Sequence, residues 1–449
     1  MSRTPWGDAS ELRERMLRPG PGHAPEDVAR NQRERLLAAA VVAFSERGYD
    51  ATPVAELLKL SGISRTTFYE HFPGGKRDCL LAAVDAATEA AVSTVGHAAT
   101  GAGDDWADQV AAGFGALGLA VVDQPAAAHV CLIDVYAAGA AGLDHAEQGT
   151  DRFAWLLTEA LGRSAERAAV PPAVSSGVVG GIRALLEFKV GGGEAATLPD
   201  AMPELRDWAL SYRNPPAPLR RPRTRPPAPG TARLVVHDHV DRIFGAVAAG
   251  VDAKGYPALA LDDIVRGASA SLTTFYQHFD NKEQAFLAAY DSAVAQADAA
   301  ATPPFRWTKS WPQAVRAALE AYLSFWAAEP LWARIAMVDV LTVGAAALEH
   351  RRRALGLFEE ILAPGVELQP GLGPNVVTAI GGGVHHLIRE QIRRRGPEHL
   401  LQILPAATFL ALAPFTGPDE AIAVANKGAP RSSSNTARRA SGTRRGRRP

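Results

Sequence analysis

Residues 48–72 read GYDATPVAELLKLSGISRTTFYEHF, and residues 255–279 read GYPALALDDIVRGASASLTTFYQHF. The two stretches align without a gap at an offset of 207 residues, and ten of their 25 positions are identical. The correspondence continues far downstream, with Trp106 opposite Trp311 and Phe153 opposite Phe358. A repeated unit of about 190 residues is much longer than one repeat of a solenoid. The sequence therefore indicates that one domain pair has been duplicated within the chain.

Both copies have the sequence pattern of helical proteins. Alanine and leucine dominate, apolar residues recur at intervals of three and four, and no alternating run is bounded by hairpin turns. The predicted fold class is all-α, with two tandem units. The first helix is expected at about 31–47, and its apolar face contains Leu36, Leu37, Ala40, Val41 and Phe44.

The composition predicts a globular cytoplasmic protein. Of 449 residues, 47% are hydrophobic, and 47 Lys and Arg nearly balance 48 Asp and Glu, so most of the chain can bury a core. Two cysteines, Cys79 and Cys131, are too few for a disulfide framework, which favours a reducing compartment. The longest uncharged apolar run, 110–122, is shorter than the ~20 residues that span a bilayer. We expect no membrane span and no export signal.

The near-zero net charge hides a strong segregation of charge. Residues 213–233 contain six Arg and seven Pro, and residues 427–449 contain one Lys and seven Arg. Neither segment has an acidic residue, and when their charges of +6 and +8 are taken from the total of −1, the rest of the chain has a net charge of −15. We predict a semi-rigid linker at 213–233, a disordered basic tail at 427–449 and a loose segment at 1–30. The basic segments either contact nucleic-acid phosphates or act as solvated spacers.

The residues after the first helix predict two short helices joined by a tight turn. Gly48 ends the first helix, and Thr52 followed by Pro53 predicts an N-cap and first turn for a helix that ends near Ser61. Gly62 permits the turn, and Ser64 caps a third helix over about 64–70. This arrangement is a helix-turn-helix, whose second helix fits the major groove of DNA.

The motif that runs from Thr52 to Lys76, T-P-V-x-x-L-(x)4-G-I-S-R-T-T-F-Y-E-H-F-x(3)-K, resembles the tetracycline-repressor (TetR/AcrR) family of transcriptional regulators. The resemblance implies that helices one to three bind DNA and that later helices form a ligand pocket and a dimer interface. It places Phe68 and Phe72 in the core. The DNA contacts implied by matching residues are Thr52, Arg65, Thr66, Thr67, Tyr69, His71 and Lys76.

The second copy departs from this pattern at the residues that would bind DNA. Ser269 replaces the turn glycine, where a left-handed backbone costs roughly 1 kcal/mol, and Leu272 replaces Arg65 and cannot hydrogen-bond a base. Leu259 stands at the position of Thr52 and cannot cap a helix. The second copy either binds DNA weakly or is a retained scaffold. Its candidate contacts are Thr273, Thr274, Tyr276, His278 and Lys282.

Two carboxylates lie inside apolar stretches at matched positions of the repeat. Asp134 lies in HVCLIDVYAAG and Asp339 in RIAMVDVLTVG, so each needs a partner or a polar cavity. One interpretation is a local hydrogen bond, and the other is a place in the pocket for a small-molecule effector. The candidate ligand-binding residues are Trp106, Phe114, Asp134, Tyr136, Trp311, Phe325, Met337 and Asp339.

Other classes of function receive little support. A helical enzyme would have to use His145 and His350, or the two matched aspartates, and the sequence has no nucleophile or phosphate-binding motif beside them. No metal site and no cofactor are expected, because the histidines stand without a cysteine or carboxylate constellation. The alternative is a ligand-binding or partner-binding protein in which one or both helix-turn-helix units have lost the residues that bind DNA.

The sequence thus predicts a ligand-responsive repressor that binds double-stranded DNA as a monomeric pseudo-dimer. The halves would pair through helices at Val174–Val190 and Val376–Arg394, whose glycines permit close approach. The predicted domains are a loose extension (1–30), a helix-turn-helix domain (31–90), a ligand-binding domain (91–212), the linker (213–233), a second helix-turn-helix domain (234–295), a second ligand-binding domain (296–426) and the basic tail (427–449).

Overall fold

The computed structural model describes residues 3–8, 11–17, 22–222 and 239–427. Apart from an antiparallel pair of two-residue strands, β1 (Arg3–Thr4) and β2 (Gly7–Asp8), the regular elements of these residues are helices. The all-α prediction is confirmed. Residues 223–233 of the predicted linker and 428–449 of the predicted tail lie outside the described residues.

The first half contains nine α-helices within the described residues. Short 3-10 helices at Asp134–Ala138 and Ala195–Thr197 precede the seventh and ninth of them. The helices are α1 (Pro25–Arg47), α2 (Val54–Ser61), α3 (Arg65–His71), α4 (Lys76–Gly101), α5 (Trp106–Asp123), α6 (Pro125–Leu132), α7 (Ala140–Gly162), α8 (Pro172–Gly191) and α9 (Leu198–Ser211).

The second half repeats this order. Helices α4 and α13 both have 26 residues, α5 and α14 both have 18, and α6 and α15 both have 8, as a duplication requires. Two helices, α16 and α17, take the place of α7. The helices are α10 (His239–Lys254), α11 (Leu261–Gly267), α12 (Leu272–Tyr276), α13 (Lys282–Trp307), α14 (Trp311–Ala328), α15 (Pro330–Met337), α16 (Ala347–Arg353), α17 (Gly356–Leu368), α18 (Pro374–Arg395) and α19 (Leu404–Ala425), with 3-10 helices at Asp339–Ala346 and Pro397–Ile403.

The N-terminal segment packs against α1 where the sequence predicted a loose extension. Leu12 is only 2% exposed and packs with Ala38 and Ala39 of α1. Helix α1 itself begins at Pro25, six residues before the predicted start. Proline at the first helical position and two acidic residues in the first turn favour a helix start there.

The turn predicted at Gly62 and the helix cap predicted at Ser64 are both observed in the first helix-turn-helix. Gly62 follows α2 with a left-handed backbone (φ 67°, ψ 28°), and the Ser64 side chain accepts a hydrogen bond from the Thr67 N–H at 3.1 Å. The predicted cap of α2 is different. Pro53 occupies the N-cap position, and the Thr52 hydroxyl points back to α1, as described below.

Helices α8 and α18 join the two halves in the described structure. A Cβ atom added to Gly181 would lie 2.0 Å from the Ala379 carbonyl oxygen, and one added to Gly383 would lie 2.4 Å from the Gly177 carbonyl oxygen. Only glycine permits such an approach between helix backbones. Helices α9 and α19 pack beside this pair, and the Tyr212 hydroxyl donates to the Leu410 carbonyl at 2.8 Å.

In the described part of the chain, three helical stretches are long and apolar enough to cross a membrane by length and composition: Lys76–Gly101, Pro330–Arg353 and Pro397–Ala425. Within their apolar windows, 33%, 61% and 78% of residues are buried inside the protein. For the last two, packing in the helical core therefore accounts for most of the apolar character.

Candidate DNA-binding surfaces and ligand cavity

Helix α3 presents a polar face to solvent and an aromatic face to the core. Phe68 and Phe72 are 0% and 2% exposed. On the opposite face, Arg65, Thr66 and Tyr69 are exposed, and among the described residues no carboxylate forms an ion pair with Arg65. An exposed guanidinium without an internal partner is free to contact a base edge or a phosphate.

Two predicted DNA contacts of the first half instead hold the helix-turn-helix together. Thr52 is fully buried, and its hydroxyl donates to the carbonyls of Ala43 (3.1 Å) and Gly48 (2.8 Å). The Lys76 ammonium donates to the carbonyls of Tyr49 (2.7 Å) and Thr52 (3.1 Å), and burial lowers its pKa. Both side chains therefore lie beneath the exposed face of the helix-turn-helix and stabilise its fold.

Two further predicted contacts lie at the edge of the exposed face. Thr67 is half-buried, and its hydroxyl shares a 2.9 Å hydrogen bond with Ser64. The His71 ring lies 3.4 Å from the Gln32 side-chain oxygen, and burial together with Arg33 lowers its pKa. His71 is thus mostly neutral near pH 7, and a DNA contact by this ring would be a hydrogen bond without a charge.

The sequence did not identify Arg13 as part of this surface. Its guanidinium donates to the Lys59 carbonyl, and its side chain lies 3.6 Å from the position of a Cβ added to Gly62. The N-terminal segment thereby places an additional cation at the turn between α2 and α3. No sequence motif marks this contact, because it joins residues 46 positions apart.

The second helix-turn-helix keeps the internal hydrogen bonds of the first copy but differs from it at exposed residues. Helix α12 has five residues, whereas α3 has seven. Thr273, Tyr276 and His278 are exposed, and Leu272 leaves 46% of its surface in solvent. Thr274 bonds Ser271 as Thr67 bonds Ser64. The Lys282 ammonium donates to the Tyr256 (3.1 Å) and Leu259 (2.9 Å) carbonyls, so it too is a support.

One of the acidic residues beside the second helix-turn-helix, Asp263, is paired with a nearby cation. Asp263 forms a 2.8 Å ion pair with Lys254 and accepts a hydrogen bond from the Ala260 N–H at 3.1 Å. These interactions, the bond with Lys254 first, lower the pKa of Asp263. Its charge is partly compensated by Lys254, which leaves Asp262 and Asp280 as the other acids beside the reader.

Ser269 has the left-handed backbone predicted for it. Its φ is +51°, and among the described residues no other non-glycine residue has a positive φ. Its counterpart in the repeat, Gly62, has φ +67°. The duplicated turn has therefore kept its shape although it has lost the glycine that adopts this shape without strain.

We expect Ser269→Gly to raise the free energy of unfolding by roughly 1 kcal/mol, because it removes the left-handed strain. The gain is partly offset by the greater freedom of glycine in the unfolded chain. Urea denaturation followed by circular dichroism measures the difference. Gly62→Ser is the matched control and should lower stability by a similar amount. A loss of stability in Ser269→Gly would contradict the strain.

An apolar cavity of about 360 Å³ lies inside the first half. Helices α4 to α8 supply its walls, and Phe114 is the one predicted ligand-binding residue that lines it. Cys131 and Arg183 also reach the cavity, and burial raises the pKa of the Cys131 thiol to about 11, so this side chain is an uncharged wall. Trp155 stands at the cavity with 62% of its surface in solvent.

The other ligand-binding candidates of the first half lie outside this lining. Trp106 packs beneath the Arg167 guanidinium, 5.1 Å from the ring centroid. The Asp134 carboxylate lies 2.8 Å from the His129 ring nitrogen, which supports the interpretation of a local hydrogen bond. The Tyr136 hydroxyl donates to Glu187 at 2.5 Å.

The candidates of the second half also have structural partners. The Trp311 N–H donates to the Ile361 carbonyl at 2.8 Å, and Phe325 is a core residue with 9% exposure. Met337 lines a small cavity at the contact between the halves. Asp339 lies 3.6 Å from Arg334, and burial raises its pKa to about 6.

Larger side chains occupy the positions of the second half that match the cavity walls of the first. All of these side chains are buried. They take up volume at positions where smaller residues bound the cavity of the first half. Leu117 is replaced by Tyr322, Ala120 by Phe325, Val121 by Trp326 and Ala127 by Trp332.

Both helix-turn-helix units match a known family. The family model described as bacterial regulatory proteins, tetR family, matches residues 36–83 and 251–289. An uncharacterized HTH-type transcriptional regulator of Mycobacterium tuberculosis is 38% identical over 69 residues, which are 15% of this chain and 36% of that protein. The HTH-type transcriptional regulator LmrA of Bacillus subtilis is 38% identical over 55 residues, 12% of this chain and 29% of LmrA. The chain thus spans about a third of the length of these relatives.

Among the solved structures to which the chain is similar is a TetR-like transcriptional regulator from Rhodococcus sp. RHA1. It is 21% identical, with a TM-score of 0.34, and the match covers 42% of this chain and 99% of that protein.

Proposed function

We propose that this chain, which belongs to the tetR family of bacterial regulatory proteins through its two DNA-binding domains, is a ligand-responsive transcriptional repressor. In this proposal one chain supplies both halves of a pseudo-dimer and acts in the cytoplasm. The observation that carries it is the duplicated helix-turn-helix, with an exposed Arg65, Thr66 and Tyr69 over a buried aromatic frame in the first copy. These groups suit base edges and phosphates.

The close packing of α8 on α18 supports the pseudo-dimer. Glycines at this contact leave no room for side chains, and the Ser176 hydroxyl of α8 lies 3.1 Å from the His386 ring of α18. Because the chain tethers the two halves, their effective concentration is in the millimolar range. Such an interface favours pairing within one chain over pairing between chains.

A gel shift combined with light scattering tests this function. With DNA fragments from the region upstream of the protein's own gene, we expect a shift by a species with the mass of one chain. Footprinting should give half-sites of different sequence, since Arg65 in one reader faces Leu272 in the other. A stable two-chain species at low micromolar concentration with a perfect palindrome would contradict the pseudo-dimer. If no fragment shifted, the result would favour the alternative, a ligand-binding or partner-binding protein whose helix-turn-helix units do not bind DNA.

The cavity of the first half supports an apolar effector. Helix α6 lines it with Ala127, Ala128 and Cys131, and the same helix packs against α1 of the DNA-binding domain. A ligand that displaced α6 would therefore move α1, against which helix α2 of the helix-turn-helix packs. Coupling of ~1–3 kcal/mol between ligand and DNA is typical of such arrangements.

We expect one apolar ligand per chain, because Tyr322, Phe325 and Trp326 fill the second half. The dye 1-anilinonaphthalene-8-sulfonate should titrate by fluorescence to one equivalent. Ala120→Phe, which installs the residue of the second half, should weaken this binding roughly tenfold or more by occupying the cavity. Phe325→Ala, the reciprocal variant, should open a second site. Two equivalents in the unmodified protein, or no loss in Ala120→Phe, would contradict this assignment.

A further inference from the structure

A group of charged side chains lies between the two halves, outside the helix-turn-helix units. Arg183 and Glu187 belong to α8, Arg351 to α16 and Arg389 to α18. The Glu187 side chain is only 2% exposed, and those of Arg183 and Arg351 are 15% and 13% exposed. The proposed function assigns no role to this group.

Glu187 is fully engaged by two of the three arginines. Its Oε1 lies 3.0 Å from Arg183 Nε and accepts a 2.5 Å hydrogen bond from the Tyr136 hydroxyl. Its Oε2 accepts from Arg351 Nη2 at 2.6 Å. Although burial alone would raise the pKa of Glu187, Arg351 and Arg183 hold it below its ordinary value. The carboxylate is ionised and its oxygens are occupied.

Arg389 has no such partner. Among the described residues, no carboxylate oxygen lies within 4.0 Å of its guanidinium, and the hydrogen bond it makes is to the His386 ring nitrogen at 3.3 Å. Burial and Arg389 itself lower the pKa of His385 and His386 to about 3, so both rings are neutral. The group therefore contains three guanidinium cations and one carboxylate, and guanidinium does not deprotonate in proteins.

A small cavity lies among the same residues. Its volume is about 30 Å³, and its walls include Arg183, Arg351, Arg389, Tyr290 and His385, together with Glu187, whose oxygens are already engaged by Arg183, Arg351 and Tyr136. A cavity of this size holds one or two particles as large as a water molecule. It is too small for a tetrahedral oxyanion together with its hydrogen-bonded partners.

We propose that this cavity is a binding site for a monovalent, chloride-sized inorganic anion that joins the two halves. Arg389 is half-buried and the Arg351 side chain is 13% exposed, so water hydrates their charges only in part, and a small anion beside them supplies the missing negative charge. Because the lining comes from α8, α13, α16 and α18, the bound anion contacts both halves at once. Anion binding therefore stabilises their pairing by mass action.

Thermal unfolding of the full chain without DNA tests the site. At constant ionic strength, replacing gluconate by chloride should raise the apparent Tm along a saturable curve, by roughly 3 °C at 100 times the Kd. Arg389→Met keeps most of the side-chain volume but removes the charge, so its Tm should not depend on chloride. Arg352→Met is the control: this side chain is exposed and pairs with Glu349, so the dependence should persist.

A second measurement does not depend on the stability of any variant. Crystals of the unmodified protein grown in sodium bromide should show an anomalous peak beside Arg389 and Arg351. Equal Tm values in chloride and gluconate, the same chloride dependence in Arg389→Met, or the absence of bromide from the cavity would each overturn the proposal. If the anion proposal were overturned, the proposed DNA-binding function would be unaffected, because neither measurement involves DNA.

Discussion

Arg65→Ala should weaken specific operator binding by ~1–3 kcal/mol, which is roughly a 5- to 150-fold rise in Kd, and relax base preference in one half-site. The reason is geometric: Arg65 begins α3, is exposed and has no carboxylate partner among the described residues. Its guanidinium can donate two parallel hydrogen bonds to one guanine. Fluorescence anisotropy titration of the footprinted operator, at one fixed salt concentration, measures the loss.

Leu272→Ala is the matched variant in the second reader. It removes only an apolar contact, such as one to a thymine methyl, and should cost much less. Tyr69→Phe and Tyr276→Phe compare the two exposed hydroxyls as phosphate contacts and should separate positioning from base recognition. A loss in Leu272→Ala equal to or greater than that in Arg65→Ala would show that the second half reads DNA as strongly as the first.

Gly181→Ala should lower the free energy of unfolding by roughly 3 kcal/mol or more, because a Cβ at this position would lie 2.0 Å from the Ala379 carbonyl oxygen. The obstacle is backbone and not a flexible side chain, so α8 and α18 must move apart. That movement would also open the contact between the halves. Urea denaturation reports the stability, and analytical ultracentrifugation reports any change in the compactness of the chain.

Gly115→Ala provides a control of opposite sign. Gly115 lies inside α5, and an added Cβ would meet no atom within 4 Å. Since alanine favours a helix over glycine by up to ~1 kcal/mol, this variant should be as stable as the unmodified protein or more so. If Gly181→Ala behaved like Gly115→Ala, the close approach of α8 and α18 would not describe the protein in solution.

Features that depend on a few neighbouring residues were predictable from the sequence. The cap at Ser64, the turn at Gly62 and the strained backbone at Ser269 each involve contacts within four positions along the chain. Functions that depend on partners far along the chain were not. Residue type alone makes Thr52 and Lys76 good phosphate ligands, yet their hydrogen bonds go to carbonyls up to 27 positions away.

The ligand-binding candidates illustrate the same limit. An aromatic side chain or a carboxylate in an apolar stretch needs either close packing or a polar partner. The sequence does not show which of the two it finds. Tyr136 and Asp134 have hydrogen-bond partners, whereas the cavity is bounded largely by small and aliphatic residues such as Gly113, Ala120 and Val179. A cavity exists where side chains are missing, so no distinctive residue identifies it.

The sequence by itself determined the duplication, the helical fold class and the position of both helix-turn-helix units. Repeated motifs, helical periodicity and helix caps can each be recognised from short stretches of neighbouring residues. The tertiary structure alone decided that the first half has a cavity where larger buried side chains stand at the matching positions of the second, and that Arg389 shares a small cavity with Arg351 but pairs with no carboxylate among the described residues. Both outcomes depend on how side chains from four or five helices share one space. Volume and charge balance at such places follow from three-dimensional packing, which the order of residues along one helix does not record.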